Sequence, residues 1–329
     1  MKPVGIIANP ASGKDIRRLV AYGSVFDNNE KINIIKRILV ALDSFGVTDV
    51  YTMPDFSGLG MRAMNDVDIS LKANLLEMEI GGVQEDSTRA ANIMAKMGTA
   101  CIITLGGDGT NRVVAKGCGE TPLLPISTGT NNVFPYMIEG TLAGMAAAVL
   151  ASNSVGLDDV CKRMPRLDIY KNGELIDIAL IDLVVTDDTF VGARAVWEPE
   201  TIKEVFLTRV RPANIGFSAL GGYLSPLPSN STKGLHITIG PGDKKVKTPI
   251  APGLICWLPI AFHRTIDPDE KVSIPHTPAV IALDGEREIS VSDGDQLSVC
   301  LNPEGPLVVD INTALASAAD KGLFISNQS

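Results

Sequence analysis

Over the first half of the chain, short apolar blocks alternate with stretches whose apolar residues recur at helical spacing. Residues 4–8, 47–52, 100–105 and 123–126 read as strands, most of them apolar enough to be buried on both faces. Ile34, Ile35, Ile38, Leu39 and Leu42 mark one face of a helix between the first two. Residues 74–80 read as another strand. Residues 84–97 read as a helix with Glu85 and Asp86 in its first turn, where the helix dipole favours anions. Residues 139–152, rich in Ala, Leu and Met, add a further helix. This succession predicts a parallel sheet covered on both faces.

After residue 156 the pattern turns to strands and tight turns. Residues 166–170 and 175–186 flank Lys171-Asn172-Gly173-Glu174, a type I′ hairpin signal. Residues 235–239 and 245–249 flank Pro241-Gly242-Asp243, which reads as another turn. Residues 280–283, 288–291 and 296–301 are strands separated by Asp-Gly turns, and residues 198–210 carry a helical pattern. A last strand–helix unit follows at residues 307–311 and 313–321. The expected fold class is α/β plus all-β: a doubly wound parallel-sheet domain over residues 1–153, a β-sandwich-like domain over 154–305, and a strand–helix tail over 306–329.

With 329 residues the chain is long enough for two domains with separate cores. Its net charge of −9 argues against a nucleic-acid binder, whose footprint is basic. No apolar run approaches the length of a membrane span, and the sequence enters a strand at once, without the features of a secretory signal. The expected location is the cytoplasm. The five cysteines are scattered and lack C-x-x-C spacing, as buried thiols of a reducing compartment do. His236, His263 and His276 have no ligand-like spacing.

The candidate chemistry sits in three loops that each follow an apolar strand. One is Asn9-Pro10-Ala11-Ser12-Gly13-Lys14; the second is Gly106-Gly107-Asp108-Gly109-Thr110-Asn111; the third is Ser127-Thr128-Gly129-Thr130-Asn131-Asn132. In an open parallel sheet such loops share the rim where ligands bind. Glycines let the main chain approach a polyphosphate, and a helix N-terminus behind them supplies amides. Asp108 repels phosphate, so it suits a group that orients a hydroxyl nucleophile, takes its proton, or holds Mg²⁺. The structural alternative is an ordinary turn in which glycine takes φ > 0 and Asp108 bonds locally. The first loop is not a Walker A motif, because Ala8 and Asp15 occupy positions that need Gly and Ser or Thr, and no G-x-G-x-x-G follows any strand.

The order Asn9-Pro-x-Ser12-Gly13, Gly106-Gly-Asp-Gly-Thr110 and Thr128-Gly-Thr-x-Asn132 resembles the NAD kinase and diacylglycerol/sphingosine kinase superfamily, in particular its ATP-NAD kinase-like branch of the AcoX type. The resemblance implies a kinase in which ATP or polyphosphate, with Mg²⁺, phosphorylates the 2′-hydroxyl of NAD to give NADP. Asp108 would then orient and deprotonate that hydroxyl. Gly106, Gly107, Gly109, Thr110 and Asn111 would hold phosphates, Asn131 and Asn132 ribose or phosphate, and Asn9, Ser12, Gly13 and Lys14 the donor side, with Thr128, Gly129 and Thr130 beside them. It also implies that the C-terminal strand–helix returns to the first domain.

In the second domain, residues 179–185 resemble the family's A-L-N-E/D-V-V strand. Asp182 matches the acidic position, but Ile181 stands where the family has Asn. Residues 215–223 distantly resemble its S-A-G-G loop and read first as a tight turn beside the site, with no role assigned. Asp284-Gly285-Glu286 resembles the D-G-Q of NAD kinases and the D-G-E of lipid kinases, in which the Glu serves as base; read locally, it is first a hairpin turn. Two alternatives stand beside NAD kinase: a diacylglycerol-type lipid kinase, and a non-catalytic nucleotide-binding accessory protein of an acetoin-type catabolic operon. The expected partner is NAD(H) or a related nucleotide. A homo-oligomer, dimer or tetramer, is expected through sheet edges.

Overall fold

A computed structural model describes residues 1–13, 26–129, 131–187, 199–228 and 231–326. Lys14 and Thr130 therefore lie outside the described residues.

The first half lays down β1 (Val4–Ala8), α1 (Asn28–Ser44), β2 (Asp49–Thr52), α2 (Leu59–Asn65), β3 (Lys72–Leu75), α3 (Glu85–Lys96), β4 (Ile102–Gly106), α4 (Asp108–Ala115), β5 (Leu123–Ser127) and α5 (Gly140–Ala151). A one-turn α6 (Leu157–Val160) and β6 (Cys161–Arg163) follow. The second half comprises β7 (Arg166–Lys171), β8 (Glu174–Ala179), β9 (Asp182–Thr186), β10 (Ile202–Leu207), α7 (Phe217–Leu224), β11 (Gly234–Ala251), β12 (Leu254–Ile266), β13 (Lys271–Ile274), β14 (Ala279–Leu283), β15 (Glu286–Val291), β16 (Leu297–Asn302), β17 (Leu307–Val309) and α8 (Ile311–Asp320).

The first sheet runs β3-β2-β1-β4-β5-β17-β6, parallel except at β6. Successive residues of β1 point to opposite faces, so Ile6 joins the core beneath α1 and α5 while Ile7 joins the core beneath α3 and α4. The connections after the adjacent strands β1 and β4 thus leave toward opposite faces, and the crevice at their carboxyl ends is the switch point where such sheets bind ligands. The C-terminal β17 pairs with β5, and α8 packs against α5 and α6. β6, inside the stretch read as second domain, pairs with β17 at the edge of this first sheet.

The rest forms two antiparallel sheets, β12-β11-β10-β9-β14-β15 and β13-β16-β7-β8, with Leu167, Ile169, Val185, Phe206, Ile281, Val299 and Leu301 in the core between them. α7 covers the outer face of the larger sheet.

Four local expectations are corrected. Of the helix expected over residues 198–210, residue 198 lies outside the described residues and only Pro199–Thr201 form a 3-10 turn; Ile202 to Leu207 are β10, a central strand between β9 and β11. A strand buried on both faces carries apolar residues at odd and even positions alike, which imitates a helical stripe. The strand expected over residues 74–80 stops at Leu75, since its one neighbour, β2, is four residues long. Pro241-Gly242-Asp243 does not reverse the chain. Ile239 and Lys244 both register with Ile260, so the segment is a bulge within one long strand, and a Cβ at Gly242 would lie 2.2 Å from the Ile260 carbonyl oxygen. The run 175–186 is broken at Leu180 and Ile181, where the chain passes from the smaller sheet to the larger. The Asp284 carboxylate accepts the amides of Leu180 (3.0 Å) and Ile181 (2.7 Å) at that break.

Candidate active site

The three loops meet at the carboxyl ends of β1, β4 and β5. Asn9 Nδ2 donates to Thr110 Oγ1 at 2.9 Å, and the hydroxyls of Ser12 and Thr128 share a 2.9 Å hydrogen bond. The Thr128 amide donates to the Gly106 carbonyl, and the Asn9 amide to that of Leu105. Lys31, on α1 and fully buried, gathers the first loop: its Nζ donates to the carbonyls of Asn9 (2.9 Å), Pro10 (3.3 Å) and Ser12 (2.7 Å). The one sequence signal for this lysine is its register with Ile34, Ile35 and Ile38 on the buried helix face.

The glycines of the central loop serve close packing. None of Gly106, Gly107 and Gly109 has a positive φ, so the turn alternative fails on conformation. A Cβ at Gly106 would lie 2.4 Å from Thr110 Cβ, one at Gly107 2.8 Å from Asn132 Oδ1, and one at Gly109 3.2 Å from the Glu286 carboxylate. Gly107 gives α4 no side-chain cap, which leaves its amide end open for an anion.

Several side chains expected to face ligand instead hold the rim together. Asn111 is fully buried, accepting from Thr104 Oγ1 (2.6 Å) and donating to the Gly107 carbonyl (2.9 Å). Thr110 and Thr128 are buried and spend their hydroxyls on Asn9 and Ser12. Asn132 Nδ2 donates to Ser127 Oγ and the Gly129 carbonyl, closing its own loop.

Asp108, the first residue of α4, remains half-exposed. Its carboxylate accepts the amides of Val133 (3.0 Å) and Phe134 (2.7 Å). It lines a cleft between the two domains together with Asn131, Val133, Asp182, Asp284, Gly285, Ile215, Gly216, Phe217 and Ile250. The cleft therefore joins three carboxylates to an apolar lining.

Asp284 and Gly285 both have positive φ, +51° and +80°, as the type I′ hairpin expectation requires. Asp284 is nonetheless buried, and burial pushes its carboxyl up to about 7, outweighing Arg112 and the backbone amides that favour its ionised form. Arg112, also buried, reaches from α4 into the second domain: it meets Glu288 at 2.9 Å, Asp177 at 3.2 Å and Asp284 at 3.8 Å. These carboxylates, with Glu286, hold its guanidinium above its ordinary range against the pull of burial. Glu286 sits over Gly109 and accepts from Gln84 Nε2 at 3.3 Å. Ile181 does not face the cleft. It is buried with Phe134, Leu180 and Val308 where the domains meet, so a packing residue occupies the family's Asn position. Ser218 to Gly222 form part of α7, and Gly216 and Phe217 reach the cleft wall.

Sequence reasoning missed Lys31, Arg112 and Arg209. Arg209 is buried, donates to the Val133 carbonyl at 3.3 Å, and stacks 5.0 Å from the Phe134 ring centre. Among the described residues no group of three or more His, Cys, Asp or Glu is arranged to hold a metal ion.

Residues 4–153 match the family of ATP-NAD kinase N-terminal domains, and residues 165–304 match the C-terminal domain of acetoin catabolism protein X. Over 337 aligned residues the chain is 36% identical to acetoin catabolism protein X of Cupriavidus necator, spanning 98% of this chain and 94% of that protein. Among solved structures it is similar to yeast NADH kinase complexed with NADH, with a TM-score of 0.52 and 16% identity over 100% of this chain and 89% of that one. At that identity the likeness is one of fold.

Proposed function

The chain belongs to the acetoin catabolism protein X family, and from that premise and its ATP-NAD kinase N-terminal domain we propose that it is a phosphotransferase acting on a nucleotide hydroxyl. In this reading ATP or polyphosphate is the donor and the 2′-hydroxyl of NAD the acceptor, giving NADP. The observation that carries it is the meeting of the three loops beside a cleft that Asp108 lines.

The donor's phosphates lie along the amide end of α4 and the Ser12 and Gly129 loops. The acceptor oxygen forms the new P–O bond as the bond to the donor's bridging oxygen breaks. Asp108 accepts a hydrogen bond from the acceptor hydroxyl, orients it, and takes its proton. Mg²⁺ would arrive on the donor's phosphates and would offset charge there.

Glu286 supports a second reading. It stands at the Glu of the lipid kinases' D-G-E, beside Gly109, and Ile215, Phe217 and Ile250 give the cleft apolar lining. The deciding experiment incubates the protein with Mg-ATP or polyphosphate and either NAD or a short-chain diacylglycerol, and reads phosphorylated product. NADP formation supports the main reading and phosphatidate the second. Nucleotide binding without either product makes the protein an accessory binder.

A further inference from the structure

Arg209 presents a buried charge that the fold leaves unpaired. It is 8% exposed, one guanidinium nitrogen (Nη2) has no hydrogen-bond partner, and among the described residues it forms no ion pair. An unpaired buried charge is costly, and burial pulls this guanidinium below its ordinary range. Its position is defined at both ends. The Arg209 carbonyl accepts from Ser218 Oγ (2.9 Å) in the first turn of α7, and its Nη1 donates to the Val133 carbonyl. Arg209 thus lies behind the cleft lining, tied to α7 through Ser218 and to the segment that carries Asn131 and Val133.

Two more observations fall at the same place. α7 begins at Gly216, which has φ +76° and supplies no side-chain cap, so the positive end of that helix opens on the cleft. Asn131 Oδ1, also in the cleft lining, is buried and lacks a donor. The other groups that bear on the guanidinium are Arg211, Tyr136 and Asp108.

We propose that Arg209 and the amide end of α7 form an anion subsite in the second domain, distinct from the donor-phosphate site at α4, and that it takes a phosphate or diphosphate group carried by the acceptor itself. The acceptor is then an anionic alcohol. Its hydroxyl donates to Asn131 or Asp108 while its own phosphate pairs with Arg209. Asp108 and Asp182 also line the cleft and repel the anion, which leaves Arg209 and the amide end of α7 as the place for it. This deepens the nucleotide reading, on which it rests, and counts against a neutral lipid alcohol.

The test uses the full chain with the donor site saturated by a non-hydrolysable Mg-ATP analogue, and measures binding of inorganic pyrophosphate and of NAD by calorimetry. Wild-type protein is expected to bind pyrophosphate in competition with NAD. Arg209→Met is expected to weaken both by roughly 10- to 100-fold, the worth of a charge-assisted hydrogen bond, with affinity for the ATP analogue unchanged. Arg209→Lys is expected to recover part of the loss. No competing pyrophosphate site in the wild type overturns the proposal, as does a folded Arg209→Met variant that binds NAD and pyrophosphate normally. If Arg209→Met does not fold, the wild-type competition alone decides. Because the readout is binding, absence of any phosphoryl transfer would overturn the kinase reading and leave this one standing.

Discussion

Gly109 and Glu286 face each other across the junction of the two domains, so closely that a Cβ on the glycine would lie 3.2 Å from the carboxylate. The Gly-Gly-Asp-Gly turn is thereby a docking face for the second domain as well as the start of a helix. Gly109→Val is expected to cost about 1–3 kcal/mol by overpacking. That loss should shrink in a Glu286→Ala background, where the obstructing carboxylate is gone. Denaturant melts of the two singles and the double measure this, and an undiminished penalty in the double variant would show that another contact excludes the side chain.

Asp108→Asn keeps an oxygen to accept the amides of Val133 and Phe134, so the variant should fold. It lacks the charge and the basicity assigned to the acid. Turnover is expected to fall by about 10²–10⁴-fold while nucleotide affinity stays within a few fold. Steady-state rates alongside equilibrium binding separate the two effects; an active variant removes Asp108 from the chemistry.

Lys31→Met strips the carbonyls of Asn9, Pro10 and Ser12 of their shared donor. Asn9 keeps the Ser12 amide and hydroxyl, so losing the donor to the half-buried Pro10 and Ser12 carbonyls is expected to cost about 1–3 kcal/mol. The loop they belong to lies on the donor side, so KM for the phosphoryl donor should rise more than KM for the acceptor. Equal changes in both, or none, would mean that the lysine does not shape the donor loop.

Asp284 gives stability a pH dependence of defined sign. Its carboxyl titrates near 3.8 when unperturbed and is raised to about 7 by burial in the folded protein. Between those values the native state holds the proton and the unfolded state does not, so the contribution is fully present below about 3.8 and is lost as pH rises through about 7. The melting temperature of wild type relative to Asp284→Asn should therefore decline from pH 4 to pH 8. A flat difference would place the titration elsewhere.

The fold was legible where the pattern was strongly periodic or marked by turn chemistry. The Asn172-Gly173 turn, with φ of +53° and +87°, and the parallel strands β1, β4 and β5 follow directly from local residue choice. β10 was not legible, because a strand covered on both sides loses the alternation that identifies it. The buried cations Lys31 and Arg112 were hidden for a related reason. Taken alone, a charged residue reads as solvated, and only the arrival of distant partners makes its burial affordable.

By itself, the sequence determined that three Gly-, Ser-, Thr- and Asn-rich loops end three apolar strands and that one of them carries an acid among glycines. Tertiary structure decided which of those polar groups face the cleft. Thr110, Asn111, Thr128 and Asn132 carry the same kinds of donor and acceptor as Asn131, which lines the cleft, and nothing in their chemistry separates it from them. Contacts such as Asn9 with Thr110, 101 residues apart, turn some inward to satisfy the protein and leave others toward the cleft.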